Sequence, residues 1–91
     1  MAELKTRTDI QVTVTFPITK KGPFQERVAP ETTVGTVRQA AMQHFGAQDD
    51  SQFTYVLAHD GAEEDNNRTI EEVAGTAEAV KFTLVKKLTQ G

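Results

Sequence analysis

Few side chains in this sequence can do chemistry. It has no cysteine, so disulfides and thiolate metal sites are excluded, which suits a reducing compartment such as the cytoplasm. His44 and His59 are its two histidines. His44 falls in the last turn of a predicted helix, where an imidazolium complements the helix dipole. His59 lies beside Asp60 in the polar stretch "HDGAEEDNN", and a zinc site would need further ligands. That stretch also lacks the alternating ligands and closing glutamate of a calcium-binding EF-hand loop. A Gly-rich phosphate loop, a nucleophile elbow and a catalytic pair are all missing. The expectation is a protein that is not an enzyme and holds neither metal nor cofactor. What remains is one end of the chain, "FTLVKKLTQG", where an alternating strand runs into two lysines, a leucine and Gly91. Glycine carries no Cβ, so its carbonyl is sterically open and its backbone adaptable.

Charge is unevenly spread. Nine acids lie from Asp49 to Glu78 against the single base Arg68, while all six lysines sit near the chain ends or in the first turn. A solvated acidic face explains this; so does a sign-asymmetric surface that steers a protein partner. The net charge of −3, one tyrosine and no tryptophan argue against nucleic-acid binding. The longest apolar run falls far short of the roughly 18 residues of a membrane span. "MAELKTRTD" lacks the apolar stretch of a signal peptide, and residues 1–9 are expected to form a flexible leader.

The elements that must position this chemistry follow from periodicity. "IQVTVTFPI" alternates, with Ile10, Val12, Val14 and Phe16 on one face, and Pro17 ends regular pairing. "TKKGP" turns the chain into a second strand, "FQERVAP", whose Phe24 and Val28 point inward. Glu26 shares their face, which requires either a bulge or a place at the sheet margin. Thr33 caps a helix over 34–45, in which Val34, Val37, Ala41 and Phe45 form a stripe widened by Met42. Gly46 stops the helix, and Gly35 in its first turn allows close backbone packing. "FTYVLA" is the third strand, with Phe53, Tyr55 and Leu57 on one face and Thr54, Val56 and Ala58 on the other. A short edge strand is expected near 62–65. Thr69 and Glu72 have capping-box spacing for a brief helical turn ended by Gly75. The last strand, "AVKFTLVKKL", turns Val80, Phe82 and Leu84 inward and Lys81, Thr83 and Val85 outward. One amphipathic helix must then be covered by a mixed four- to five-stranded sheet, with the last strand free to run parallel to the first.

This order is the α+β β-grasp arrangement, and over roughly residues 10–91 the sequence resembles the ubiquitin-like family. "RVAPETTVGTVRQ" resembles the second strand, Pro-containing turn and helix start of ubiquitin and of archaeal ubiquitin-like proteins. "NNRTIEEVAG" resembles the loop entering the short helical turn, and "FTLVKKLTQG" aligns with ubiquitin's last strand and tail. Gln90 departs from the pattern, standing where ubiquitin has a second glycine. The resemblance implies a domain over 10–86 and a flexible tail over 87–91. It implies a protein modifier whose acyl donor is Gly91, with Lys86, Lys87, Leu88, Thr89 and Gln90 as tail residues. Partners would be an activating enzyme, a conjugating enzyme and target proteins, with the protein itself a monomer. The alternative it implies is a non-covalent interaction module that uses the sheet surface. The ubiquitin recognition patch corresponds here to Val56, Ala58, Thr83 and Val85, with Ile18 at its border. Lys20 and Lys21 are the expected acceptor lysines if chains form, with Lys5 second.

Overall fold

The computed structural model describes residues 9–88. Its elements, in chain order, are β1 (Ile10–Thr15), β2 (Phe24–Val28), α1 (Val34–Phe45), β3 (Phe53–His59), β4 (Ala62–Glu63), α2 (Ile70–Ala74) and β5 (Ala79–Leu88). The strands form one sheet in the order β2-β1-β5-β3-β4. β1 pairs antiparallel with β2 and parallel with β5, so the first and last strands lie side by side at the centre.

Alternation decides which face each strand buries. Ile10, Val12 and Val14 of β1, Tyr55 and Leu57 of β3, and Val80, Phe82 and Leu84 of β5 turn inward. Against them lies the α1 stripe of Val34, Val37, Ala41, Met42 and Phe45. Phe16 closes one end of this core, its ring 5.4 Å from Phe45 and 5.8 Å edge-on from Tyr55. Glu26 resolves as a margin residue: β2 pairs in unbroken register, Glu26 opposite Val12, and its carboxylate is exposed because β2 is the sheet's outer strand. An inward-facing charge on an edge strand also discourages edge-to-edge pairing.

The helix ends are set by the residues that the sequence marks. Thr33 accepts a hydrogen bond from the Thr36 amide, and Gly46 takes the left-handed conformation at φ 72°. The start of α2 carries the full Thr69–Glu72 capping box. The two helix starts also clip each other. Val34 N–H donates to the Arg68 carbonyl and Gly35 N–H to the Asn66 carbonyl, while Ile70 N–H donates to Thr32 and Glu71 N–H to Pro30. Four amides that helix starts leave unpaired are satisfied this way. A Cβ on Gly35 would sit 3.2 Å from the Asn66 carbonyl oxygen, so the close packing expected of Gly35 is present. Asp60 and Gly61, both at positive φ, make the two-residue turn into β4.

The sheet runs further than the expected domain boundary at residue 86. β5 continues through Lys87, opposite Thr54, to Leu88, opposite Phe53. β3 begins at Phe53 and so offers a partner to both residues, which moves Lys87 and Leu88 from the expected tail into the body. Thr89, Gln90 and Gly91 lie outside the described residues, as does the expected leader apart from Asp9.

Candidate functional site: the outer sheet face and the exit of β5

The outward residues of β3 and β5 meet in direct register. Val56 stands opposite Val85, and Ala58 opposite Thr83, so the four expected patch residues share one face of adjacent strands. The sequence defines their faces; the register defines their neighbours. Ile18, two-thirds exposed at the tip of the first hairpin, borders the patch. Between them lies an open concavity of about 220 Å³, lined by Phe16, Pro17, Ile18, Thr83, Leu84, Val85 and Lys86. Lys87 crosses the outer side of β3 to Glu63 of β4, Nζ to Oε1 2.8 Å. This exposed pair adds little stability. It frames the far side of the patch with one charge of each sign.

Lys86 is oriented differently. Its ammonium stands 4.3 Å from the Phe53 ring centroid, on the inner side of the sheet beyond the helix. Both tail lysines thus have partners within the domain before any other protein approaches. Of the expected acceptors, Lys20 and Lys21 are exposed, and Lys21 donates its Nζ to the His44 carbonyl at the end of α1. Lys5 lies outside the described residues.

The histidines have structural surroundings. His44 packs 5.4 Å from the Phe24 ring and 4.7 Å edge-on to Phe45. His59 lies 6.0 Å from the Phe82 ring, with one nitrogen 3.9 Å from Asp60 and the other 3.9 Å from Glu64. Among the described residues, no three His, Asp or Glu side chains are grouped to hold a metal ion, and no helix is long and apolar enough to cross a membrane.

One constellation escaped sequence reasoning. Arg38 of α1 is buried, 7 % exposed, and its Nε donates to the Tyr55 carbonyl at 2.6 Å. Its Nη2 donates to Asp49 Oδ2. Asp49 Oδ1 in turn accepts from Thr54 Oγ1 at 2.8 Å and from the Tyr55 amide at 3.1 Å. The available signal was spacing: Arg38 lies four residues after Val34 and three before Ala41, inside the apolar stripe. The guanidinium beside Asp49 holds that carboxyl below its usual range, helped by the Thr54 and Tyr55 bonds. The Gln52 and Phe53 amides lower Asp50 in the same direction. A carboxylate depressed in the folded state contributes stability above its unfolded pKa of about 4 and loses it as pH falls through the folded value. The melting temperature should therefore fall on acidification below about pH 4, and Asp49→Asn should flatten that fall in calorimetry across the acid range. An unchanged acid profile in the variant would remove Asp49 from the account.

No protein-family model matches the sequence, and no curated protein matches it. Similarity appears among solved structures. One is described as the ubiquitin of Caldiarchaeum subterraneum: 24% identity, TM-score 0.72, covering 91% of this chain and 99% of that one. A second, described as molecular mimicry of SUMO that promotes DNA repair, has 12% identity and TM-score 0.66 over 89% and 95% of the two chains. A third is a designed protein based on ubiquitin, at 16% identity and TM-score 0.63 over 94% and 95%. With its mixed sheet, in which β1 and β5 run parallel side by side, packed on the one long helix among the described residues, this chain has the α+β ubiquitin-like β-grasp fold.

Proposed function

We propose that the chain is a ubiquitin-like protein modifier, activated at Gly91 and attached to target lysines. The observation that carries this reading is its likeness to an archaeal ubiquitin along 99% of that chain. The chemistry is acyl transfer. The Gly91 carboxylate attacks the α-phosphorus of ATP on an activating enzyme and expels pyrophosphate. A cysteine thiolate of that enzyme displaces AMP to give a thioester. A target lysine amine then displaces the thiolate and forms the isopeptide bond. This chain supplies the carbonyl and a substituent-free final residue that fits a narrow channel. Thr89 and Gln90, with Leu88 at the strand's end, form the arm that reaches the enzyme. The partners are an activating enzyme, a conjugating enzyme and the target proteins, and the compartment is the cytoplasm.

The test is incubation of the tagged protein with lysate of its source and ATP. Higher-mass adducts should form and should vanish when Gly91 is deleted or blocked. Adducts that persist after the deletion remove the reading. A second reading is favoured by the pairing of Lys87 and Leu88 into the sheet, which shortens the reaching arm. In that reading the outer face, with Val56, Ala58, Thr83 and Val85, binds a partner without covalent chemistry. Partner capture would then survive deletion of Gly91 and fail in Val85→Asp.

A further inference from the structure

The central strands stop at different points along β5. β1 accompanies it only as far as the Thr15–Thr83 pair, then leaves the sheet as the chain turns at Pro17. β3 accompanies it to Leu88. Among the described residues, 84–88 therefore have a strand on one side and an open lane on the other. The lane is roughly 16 Å long at about 3.3 Å per residue.

The direction of the backbone groups follows from their neighbours. Lys86 stands opposite Tyr55. Yet the Tyr55 amide donates to Asp49 Oδ1 and its carbonyl accepts from Arg38 Nε. The Leu57 carbonyl likewise goes to Glu64, and the Phe53 carbonyl to Asp50. In an antiparallel ladder, opposed residues alternate between pairs that exchange hydrogen bonds and pairs that direct them apart. Tyr55 and Lys86 are of the second kind. The amide and carbonyl of Lys86 thus point away from β3, into the lane that β1 vacates. Alongside lies the concavity floored by Leu84 and walled by Phe16, Pro17, Ile18 and Val85.

We propose that this lane accepts an extended segment of a partner protein as an added strand, with its main chain bonded to Lys86 and an apolar side chain seated between Ile18 and Val85. The occupant carries a carboxylate on its inner side, which the Lys86 ammonium meets by swinging from the Phe53 ring of β3 across to the lane. Charge also argues against a second copy of this chain: antiparallel self-pairing here would bring Lys86 and Lys87 against their own counterparts, and lysines on an edge prevent such pairing. Of the other edges, β2 carries the inward-facing carboxylate of Glu26, and β4 is only two residues long. The inference is independent of any chemistry at Gly91.

The probe is the capped heptapeptide Gly-Thr-Val-Asp-Val-Thr-Gly, titrated into the ¹⁵N-labelled full chain. Its valines face the concavity when its aspartate faces Lys86. Expected are amide shifts at Ile18, Lys86 and Leu88, with slowed hydrogen exchange at the Lys86 amide. Lys86→Pro removes that donor without touching the β3 ladder, because proline is tolerated where the N–H points off the sheet. It should weaken the peptide at least about tenfold, the equivalent of one or two lost hydrogen bonds. Ile18→Asp, at an exposed tip, should weaken it as well and serves if the proline variant melts early. Undiminished binding to a folded Lys86→Pro chain overturns the proposal. So do shifts confined to Phe24–Val28, no shifts at millimolar peptide, or binding that appears only once residues 1–8 are deleted.

Discussion

Val37→Asp should abolish the cooperative thermal transition of this domain. Val37 sits at the middle of the inward stripe of α1, 2 % exposed, among the largest apolar side chains of the sheet. The substitution first removes about 1.5–3 kcal/mol of apolar burial. It then demands either an unpaired carboxylate in the core or a carboxyl held neutral by a raised pKa, each costing several kcal/mol more. The nearest buried cation, Arg38, is already committed to Asp49 and the Tyr55 carbonyl. A domain of this size holds roughly 5–14 kcal/mol in total, so the change consumes most or all of it. Gln39→Asp, on the exposed side of the same helix, supplies the control and should melt within a few degrees of the parent. Circular dichroism at 222 nm reads both. A cooperative melt in Val37→Asp near the parent temperature would mean that α1 does not bury this face.

The contrast between Val37 and Arg38 shows what a sequence of this kind makes legible. The faces of the long elements follow from period, because most inward residues must be apolar wherever the core is thin, and Arg38 is the inward residue of α1 that this rule does not describe. Helix ends follow from Thr33, Gly46, the Thr69–Glu72 box and Gly75, each of which performs a local task that few residue types can do. Register is a different matter. Sliding β3 past β5 by two residues would leave the same side chains inward, so alternation could not say that Val56 meets Val85 rather than a neighbour. The end of the sheet was illegible for a related reason. Nothing in "VKKL" distinguishes a strand end from a tail; the partner at Phe53 and Thr54 decides it. The lane beside Lys86, vacant among the described residues, depends on the same comparison, since it exists only because β1 stops earlier than β3. Glu26 shows a partial case, in which the conflict was visible and its resolution waited on the edge position of β2.

Arg38→Met should lower stability by about 2–3 kcal/mol, a fall in melting temperature on the order of 10–20 °C for a domain this small. Methionine preserves the length and the apolar stem, so packing within α1 changes little. What disappears is the bond to the Tyr55 carbonyl and the pairing of Asp49. The carbonyl is the costlier loss: it faces the helix, away from β5, and an unsatisfied buried acceptor costs about 1–3 kcal/mol. Asp49 is less affected, because its side chain is 42% exposed, can rehydrate, and keeps the Thr54 and Tyr55 donors. That asymmetry separates two accounts of the constellation. If the carbonyl dominates, Asp49→Asn costs clearly less than Arg38→Met, and the double variant adds little to Arg38→Met alone. If the charge pair dominates, the two single variants cost the same and salt weakens the parent as much as either substitution does. Arg38→Lys sharpens the comparison, since a single ammonium cannot reproduce the planar fork that reaches both acceptors. The same measurement bears on the vacant lane. The Arg38 and Asp49 bonds direct the Tyr55 backbone away from Lys86, so a helix that loses them should also lose its hold on the strand whose far neighbour awaits a partner. In Arg38→Met, amide exchange should therefore quicken along β3 from Thr54 to Val56 before it quickens in β1, and equal acceleration in both strands would show that Arg38 steadies the whole sheet rather than this one line of contacts.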